Sequence, residues 1–393
     1  MERPLAVICG AGVAGLAAAY CLHRVGWRSV VVEKADNLRQ GGYFVGLSGV
    51  GYMAARDMGI LPQLEAVARD IDENVYFDRR GREIMRLRYR DFLAHVPFLV
   101  LHRTDLIATL EGLVKPVVDL RLATTVADVD DTGGAVRVSL SSGETLTADL
   151  MIGADGFRST LRRRHFGDDD AFLRPLGYRF AAYDLPDSLG LGFDFLSYST
   201  PGQLAEYYTL AQGRLAAVQV WRSHVTGAVP ENERWDLLTD VAKLNHPDVL
   251  QMIETARVDA VPIVDDMSLV DMPAWSKGRV LLLGDAAHCL TLVSGQGAGL
   301  ALASAVILAS KLAQHDVHGA VAKHDAQLRP AVNRLQERSR RMASWFIPAS
   351  RLGYVARNTV LKNIPTSWLG RYFNKTLMSE IEAVGTLPDI GRE

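Results

Sequence analysis

One stretch constrains the fold more than any other: Leu5-Ala-Val-Ile-Cys9, then Gly10-Ala-Gly12-Val-Ala-Gly15, an alanine-rich run to about Val25, Gly26, and Ser29-Val-Val-Val-Glu33. An apolar run of strand length meets three glycines, a helix-length segment and a second apolar strand, which makes a β-α-β unit. Gly10 permits the tight turn, Gly12 lets the backbone approach a pyrophosphate, and Gly15 lets helix and strand pack closely. The helix N-terminus offers free N–H groups and a positive dipole end to the phosphates. Glu33 ends the second strand, where a carboxylate can bind a ribose hydroxyl pair. A glycine-rich turn in another kind of β-α-β protein is the competing reading. The flanking strand, helix and terminal acid together favour the dinucleotide one.

Composition narrows the class. Of 393 residues, 48% are hydrophobic and 22% charged, the balance of a globular protein rather than a disordered or collagen-like chain. A net charge of -2, from 45 acidic and 43 basic residues, leaves no global field for gripping nucleic acid or anionic lipid. The three cysteines, Cys9, Cys21 and Cys289, make neither a disulfide framework nor a zinc site, and no metal is expected. The opening Met-Glu-Arg runs straight into an apolar strand, unlike a signal peptide, so a cytoplasmic setting is expected. Residues 280–310 hold no Lys or Arg, but Asp285, His288 and Gln296 interrupt them. The clean apolar part, 297–310, falls short of the about 20 residues a membrane span needs and reads as a buried core helix.

Along the chain, residues 36–51 hold five glycines and read as a long functional loop. Helices are expected over 51–59, 61–69 and 101–114, and a hairpin over 75–89 with its turn at Arg80-Gly81. Strands are expected over 122–129, 136–140 and 146–152. Residues 172–270 are mostly strand-like and rich in aromatics, with one helix near 232–243. A short buried strand at 279–283 precedes the long apolar helix, and the last 80 residues are mostly helical. No repeat or low-complexity linker separates units, so the domains are expected to be interleaved.

Two further motifs stand far from the first. Asp149-Leu-Met-Ile-Gly-Ala-Asp155-Gly156 is an apolar strand broken by an Asp-Gly pair, which alone is an ordinary turn. Gly284-Asp285-Ala-Ala-His288 is followed by Ser294-Gly295-Gln296-Gly297 and a helix. Asp285, at a strand end, can accept hydrogen bonds from sugar-chain hydroxyls. The helix after Gly297 can aim its positive end at a ring that becomes anionic.

In their order and spacing these motifs resemble those of the FAD-dependent aromatic hydroxylases of the para-hydroxybenzoate hydroxylase fold, a class that includes tetracycline-inactivating monooxygenases. Leu101-His-Arg103-Thr-Asp-Leu106 and Ala343-Ser-Trp-Phe-Ile-Pro348 have a similar look. The resemblance implies an α/β protein whose Rossmann-like FAD-binding domain (1–73, 98–171 and 271–330) is interleaved with a mostly β substrate domain (the hairpin 74–97 and the sheet 172–270). C-terminal helices follow over 331–393. Carried over, Gly10, Gly12 and Gly15, with Val13 and Ala14 between them, would hold the FAD pyrophosphate, and Glu33 with Lys34 the adenosine ribose. Arg103 would reach the flavin phosphate or ribityl region, and Asp285 a ribityl or pyrophosphate-side hydroxyl. Gly295, Gln296, Gly297 and Ala298 would lie along the isoalloxazine edge. Asp155 would bridge the cofactor domain and the active site. The family has no separate NAD(P)H domain, and this chain has no second GxGxxG. The loop with Arg39 and Gln40 would be where the reductant docks, although Arg39 as a solvated loop charge is an equal alternative.

The implied activity is monooxygenation. FAD reduced by NAD(P)H, with NADPH slightly favoured, reacts with O2 to a C4a-hydroperoxide that hydroxylates an aromatic or polyketide-like small molecule. No catalytic acid or base declares itself. His224 and Tyr207 fall in the expected pocket region, where such residues are more often structural. His288 shapes its turn, and nothing marks Cys289 as nucleophilic. The chain also departs from the family: Leu292 stands where a proline usually lies beside the flavin, and Gly299 and Ser304 where Asn and Asp are common. A non-redox cyclase of the same fold, working in natural-product biosynthesis, is therefore an alternative. A third reading takes 345–373, with its aromatics and cations, as a surface-binding segment, although Pro348 and Pro365 break it and no stable membrane insertion is expected. A monomer or homodimer is expected.

Overall fold

The computed structural model describes residues 3–38, 42–89, 96–188, 190, 194–387 and 390. Arg39 and Gln40 lie outside them. The apolar strand Leu5–Cys9 sits inside a six-stranded sheet, between Arg28–Val32 on one side and Leu150–Gly153 on the other, parallel to both. Asp119–Arg121 extends the sheet beyond Arg28–Val32, and Val280–Leu282 extends it beyond Leu150–Gly153, each again in parallel. Strands buried on both faces need continuous apolar runs, which is why Val-Val-Val and Leu-Met-Ile serve here. Helices Val13–Arg24, Arg103–Val114 and Gly297–Gln314 cover the sheet, the first packing against both of the others.

Gly297–Gln314 is long and apolar enough by itself to cross a membrane, yet most of it is buried inside the protein. It lies against Val13–Arg24 and Gly49–Asp57. The core-helix expectation therefore describes it, with the helix running four residues past the expected end.

The second large sheet has seven strands, in the order Ile263–Val270, Leu173–Pro186, Arg214–Arg222, Gln203–Thr209, Phe195–Thr200, Glu73–Phe77 and Glu83–Arg88. The early hairpin thus joins a sheet built mainly of residues 173–270. Strand alternation divides its side chains. Tyr183, Ala205, Tyr207 and Ala217 point to a face covered by the helices Arg234–Ala242 and Pro247–Ala256. Leu204, Tyr208, Ala216 and Val218 point to the opposite face, toward the first sheet.

Several local expectations needed correction. The glycine-rich loop of 36–51 contains a strand, Phe44–Ser48, which pairs antiparallel with Phe98–His102, so the expected helix over 101–114 starts only at Arg103. The expected strand over 122–129 is two, Asp119–Arg121 and Val126–Asp131, in different sheets. The run 146–152 is likewise split, into Thr145–Ala148 and Leu150–Gly153. In each case tertiary pairing overrides the local apolar pattern. The middle region carries two helices rather than one. Pro247–Ala256 has proline in its first turn and His246 as N-cap, its ring nitrogen accepting from the Asp248 N–H at 3.2 Å.

The last helices, Val317–Phe346, Arg351–Asn363 and Thr366–Val384, wrap the assembly. Tyr354 donates to the Ser199 carbonyl at 2.6 Å, docking Arg351–Asn363 on the second sheet. Leu352, Val355 and Trp368 remain exposed in the segment considered for surface binding.

Candidate active site

Because the strands at 5–9, 28–32, 150–153 and 280–282 run parallel and adjacent, whatever follows each one emerges at the same edge of the sheet. Gly10, Glu33, Asp155 and Asp285 all follow such strands directly or within three residues. Sequence-distant motifs therefore converge at the carboxyl ends of the sheet, where open α/β sheets form their ligand crevice.

The glycines bring them into contact. A Cβ on Gly15 would lie 1.9 Å from the Gly10 carbonyl oxygen, and one on Gly10 would lie 2.4 Å from the Ala154 oxygen. Gly284 (φ 61°) comes so close to the first motif that a Cβ there would sit 2.7 Å from Ala14 Cβ. Gly12, in contrast, has nothing within 4 Å of its would-be Cβ and borders open cleft. The turn is locked on three sides and open on the side where a ligand would approach.

Two cavities adjoin this turn. The first, of about 350 Å³, is bordered by Gly10, Glu33, Lys34, Thr124 and Asp155. The second, of about 240 Å³, is bordered by Val13, Ala14, Asp285, Gly295, Gly297 and Ala298. Gly12, Arg103, Ala154 and Gly156 border both, so the two are lobes of one elongated cleft with Arg103 at its waist. The lobe sizes are of the order expected for small-molecule sites, about 300 Å³ each.

Charge and hydrogen bonding are arranged along its length. Glu33 accepts from the Ala11 N–H at 2.9 Å and from the Ala35 N–H at 3.0 Å, which fixes the carboxylate beside the glycine turn. One oxygen of Asp155 accepts from the N–H groups of Thr160 and Leu161, at 2.8 and 3.1 Å, while its other oxygen is buried with no hydrogen-bond partner among the described residues. Asp285 opens onto the cleft, where desolvation by the surrounding protein pushes its carboxyl pKa up, while Arg103 across the waist pulls it down. The helices Val13–Arg24 and Gly297–Gln314 both begin at the cleft with no side-chain cap and no acid in the first turn, leaving N–H groups for a ligand.

Two expected cofactor residues, Gly15 and Gln296, border neither lobe. Gly15 packs the turn. Gln296 is buried and donates its amide to Ser48 Oγ at 2.9 Å. Tyr207 and His224 are not at the cavity either. Tyr207 lies fully buried on the helix-covered face of the second sheet, where the Gln219 amide reaches it at 3.4 Å, and His224 is exposed in the turn after Arg214–Arg222. His288 packs on Trp275, ring centroids 4.8 Å apart, behind the cleft. Cys289 is buried next to Asp285, and burial raises its thiol pKa far above the usual range, so it stays protonated.

Residue-by-residue reading overlooked Glu206. Strand alternation puts it beside Leu204 and Tyr208 on the cleft-facing side of the second sheet, and it borders the second lobe opposite Asp285 and Gly297. Burial pushes its carboxyl up to about 7, and a hydrogen bond from Ser197 opposes this. The signal was present: Leu204-Ala-Glu206-Tyr-Tyr208 is a single carboxylate in an otherwise apolar and aromatic strand.

Residues 4–326 match the sequence model of a family described as FAD binding domain. The chain is 30% identical over 338 residues to the uncharacterized protein Rv1260 of Mycobacterium tuberculosis, covering 84% of this chain and 91% of that one. It is 29% identical over 323 residues to 3-hydroxybenzoate 6-hydroxylase of Klebsiella oxytoca, covering 79% and 80%. Among solved structures, tetracycline destructase Tet(51) superposes with a TM-score of 0.82 at 26% identity, covering 98% of this chain and all of that one.

Proposed function

From the premise that this chain belongs to the FAD-binding-domain family and is a flavin-dependent monooxygenase, we propose that it uses NAD(P)H and O2 to hydroxylate an aromatic or polyketide-like small molecule in the cytoplasm. The net reaction takes substrate, O2, NAD(P)H and a proton to hydroxylated substrate, NAD(P)+ and water.

The observation that carries this reading is the two-lobed cleft. Its first lobe ends at Glu33, suited to a ribose, and its second is closed by the aromatic-bearing face of the seven-stranded sheet. A dinucleotide laid along it would place adenosine at Glu33 and Lys34. Its phosphates would fall at the Gly12 turn and Arg103, and its ring would lie among Gly295, Gly297 and Ala298. Bound FAD would supply the redox chemistry. The protein's own part is orientation, charge and exclusion of water. Helix Gly297–Gln314 begins at the second lobe, where its positive end would favour negative charge on a bound ring. Tyr43, Phe44 and Val218 give the second lobe the apolar wall that keeps water away from the substrate.

The test is anaerobic mixing of the purified, FAD-loaded protein with NADPH or NADH while the flavin absorbance is followed. Bleaching, followed on admitting air by O2 consumption, is the expected result. A flavin that stays oxidised under both reductants and every substrate offered would instead place the protein with the redox-silent cyclases of natural-product biosynthesis.

A further inference from the structure

We propose that Glu206 is the substrate anchor of this site, and that the substrate is an aromatic compound carrying a basic nitrogen, bound as a cation, rather than an aromatic carboxylate. This rests on the monooxygenase reading for the position of the flavin but concerns the opposite wall of the cleft.

Three observations carry it. Glu206 borders the second lobe from the sheet wall, as Asp285 does from the first sheet's side, and is half-buried there. Among the described residues bordering that lobe, the one cation is Arg103, which sits at the waist shared with the first lobe. Glu206 also has no ion pair among the described residues. Its contact is Ser197 Oγ at 3.4 Å, and Ser197's single proton has a shorter acceptor in Asn74 Oδ1 at 2.9 Å. A buried carboxylate without a cation is costly, and a ligand that brings the cation removes that cost. An anionic ligand would add to it, with Asp285 already across the cavity. The neighbouring rings of Phe44 and Tyr208, centroids 4.5 Å apart, add faces that attract cations. The related Klebsiella oxytoca enzyme is named for 3-hydroxybenzoate, an anion. The wall of this cleft opposes that charge.

The groups facing Glu206 leave it as the one that titrates near neutrality on this wall. Tyr76, Tyr89 and Tyr208 are all pushed up by burial and stay neutral. Beyond Tyr208, Asp184 lies 3.3 Å from His102, and Arg357 lies beyond Tyr76. Arg103 and Asp285 stand across the cavity.

The experiment is calorimetric titration of the FAD-loaded protein with 3-hydroxybenzylamine, 3-hydroxybenzyl alcohol and 3-hydroxybenzoate, which share a ring and differ in charge. The amine should bind at least about tenfold more tightly than the benzoate at pH 8, and its affinity should fall as pH drops below about 7 and Glu206 takes up a proton. Glu206→Gln should weaken the amine about 10–100-fold, as for a hydrogen bond to a charged group, and leave the alcohol unchanged. FAD content reports folding of the variant, and the pH series on the unaltered protein gives a second reading. The proposal is overturned if the benzoate binds as tightly as the amine, if the amine gives no heat up to its solubility limit, or if its affinity is indifferent to both pH and the substitution. Failure of NAD(P)H to reduce the flavin would strike the monooxygenase reading alone, since this titration needs no turnover.

Discussion

Gly51 and Gly299 meet backbone to backbone where the helices Gly49–Asp57 and Gly297–Gln314 cross. A Cβ on Gly51 would lie 2.4 Å from Gly299 Cα, and one on Gly299 would lie 2.9 Å from Gly51 Cα. This crossing accounts for one departure from the family pattern: the asparagine common at position 299 has no room here. The obstacle in both directions is main chain, so neither helix can yield by a rotamer change. Gly299→Ala should therefore cost about 3 kcal/mol of stability, the upper end for overpacking, and Gly299→Asn more. Urea denaturation of the apoprotein reads both. An Asn variant as stable as the parent would mean that the helices do not cross here.

Asp285 offers a separation of stability from cofactor binding. Its side chain opens onto the cleft, and desolvation by the surrounding protein raises its pKa, so in the empty protein the charge is a cost. In the role proposed for it, the carboxylate would accept hydrogen bonds from the sugar-chain hydroxyls of bound FAD. Asp285→Ala should weaken FAD binding by about 1–3 kcal/mol while the apoprotein unfolds at the same urea concentration or a higher one. Fluorescence titration with FAD checks the first half. Unchanged affinity would remove Asp285 from the cofactor site.

How far such a site can be read from sequence depends on which contacts are local. The glycine turn, its strands and Glu33 lie within 33 residues and announce themselves through spacing. Convergence of the Asp155 and Asp285 motifs on that turn follows from parallel strand order, which no local pattern encodes; the resemblance supplied it. The strand Phe44–Ser48 was hidden because Gly46 interrupts it and its partner, Phe98–His102, lies about fifty residues away. A Cβ at Gly46 would be 2.9 Å from the Phe98 ring, so the glycine that looked like loop is needed for the pairing. Pro247–Ala256, in contrast, was legible: proline at N1 and Val249, Met252, Ile253 and Ala256 at helical spacing were all present. Glu206 was equally open to a period-two reading of its strand.

Arg162 joins the second motif to the third. Fully buried, its guanidinium donates to the Phe157 carbonyl at 2.7 Å, to the Ala286 carbonyl at 3.0 Å and to Asp169 Oδ1 at 2.7 Å. Ala286 adjoins Asp285, so this one side chain holds the Gly-Asp turn against the helix Thr160–His165 that follows Asp155. Arg162→Met keeps volume but takes the guanidinium donor from the Phe157 and Ala286 carbonyls and leaves Asp169 with Arg163 as its cation. The expected loss is about 3–5 kcal/mol, with weaker FAD retention on gel filtration. Retained stability with lost FAD would show that the guanidinium serves the cofactor rather than the fold.

A second departure from the family, Ser304, has its own partner. Ser304 Oγ lies 2.8 Å from Nε2 of His324, a fully buried ring, and both His324 and the buried His288 pack against Trp275. Burial holds both imidazoles well below the usual 6.5, at about 4 for His324 and about 3 for His288. The folded protein therefore keeps them neutral while the unfolded chain protonates them below 6.5. Stability from this pair is complete above pH 6.5 and is lost as pH falls toward 4. Each ring makes the unfolded state bind one more proton than the native state in that window, a slope of about 1.4 kcal/mol per pH unit. Glu206, with its raised pKa, pulls the opposite way over about pH 4.5–7, but equally in parent and variant. His324→Gln, which can keep a bond to Ser304, should therefore flatten the stability–pH curve by about 1.4 kcal/mol per unit between pH 6 and 4.5. Urea midpoints taken across that range decide it. Parallel curves for the two proteins would mean that the ring is already protonated in the native core.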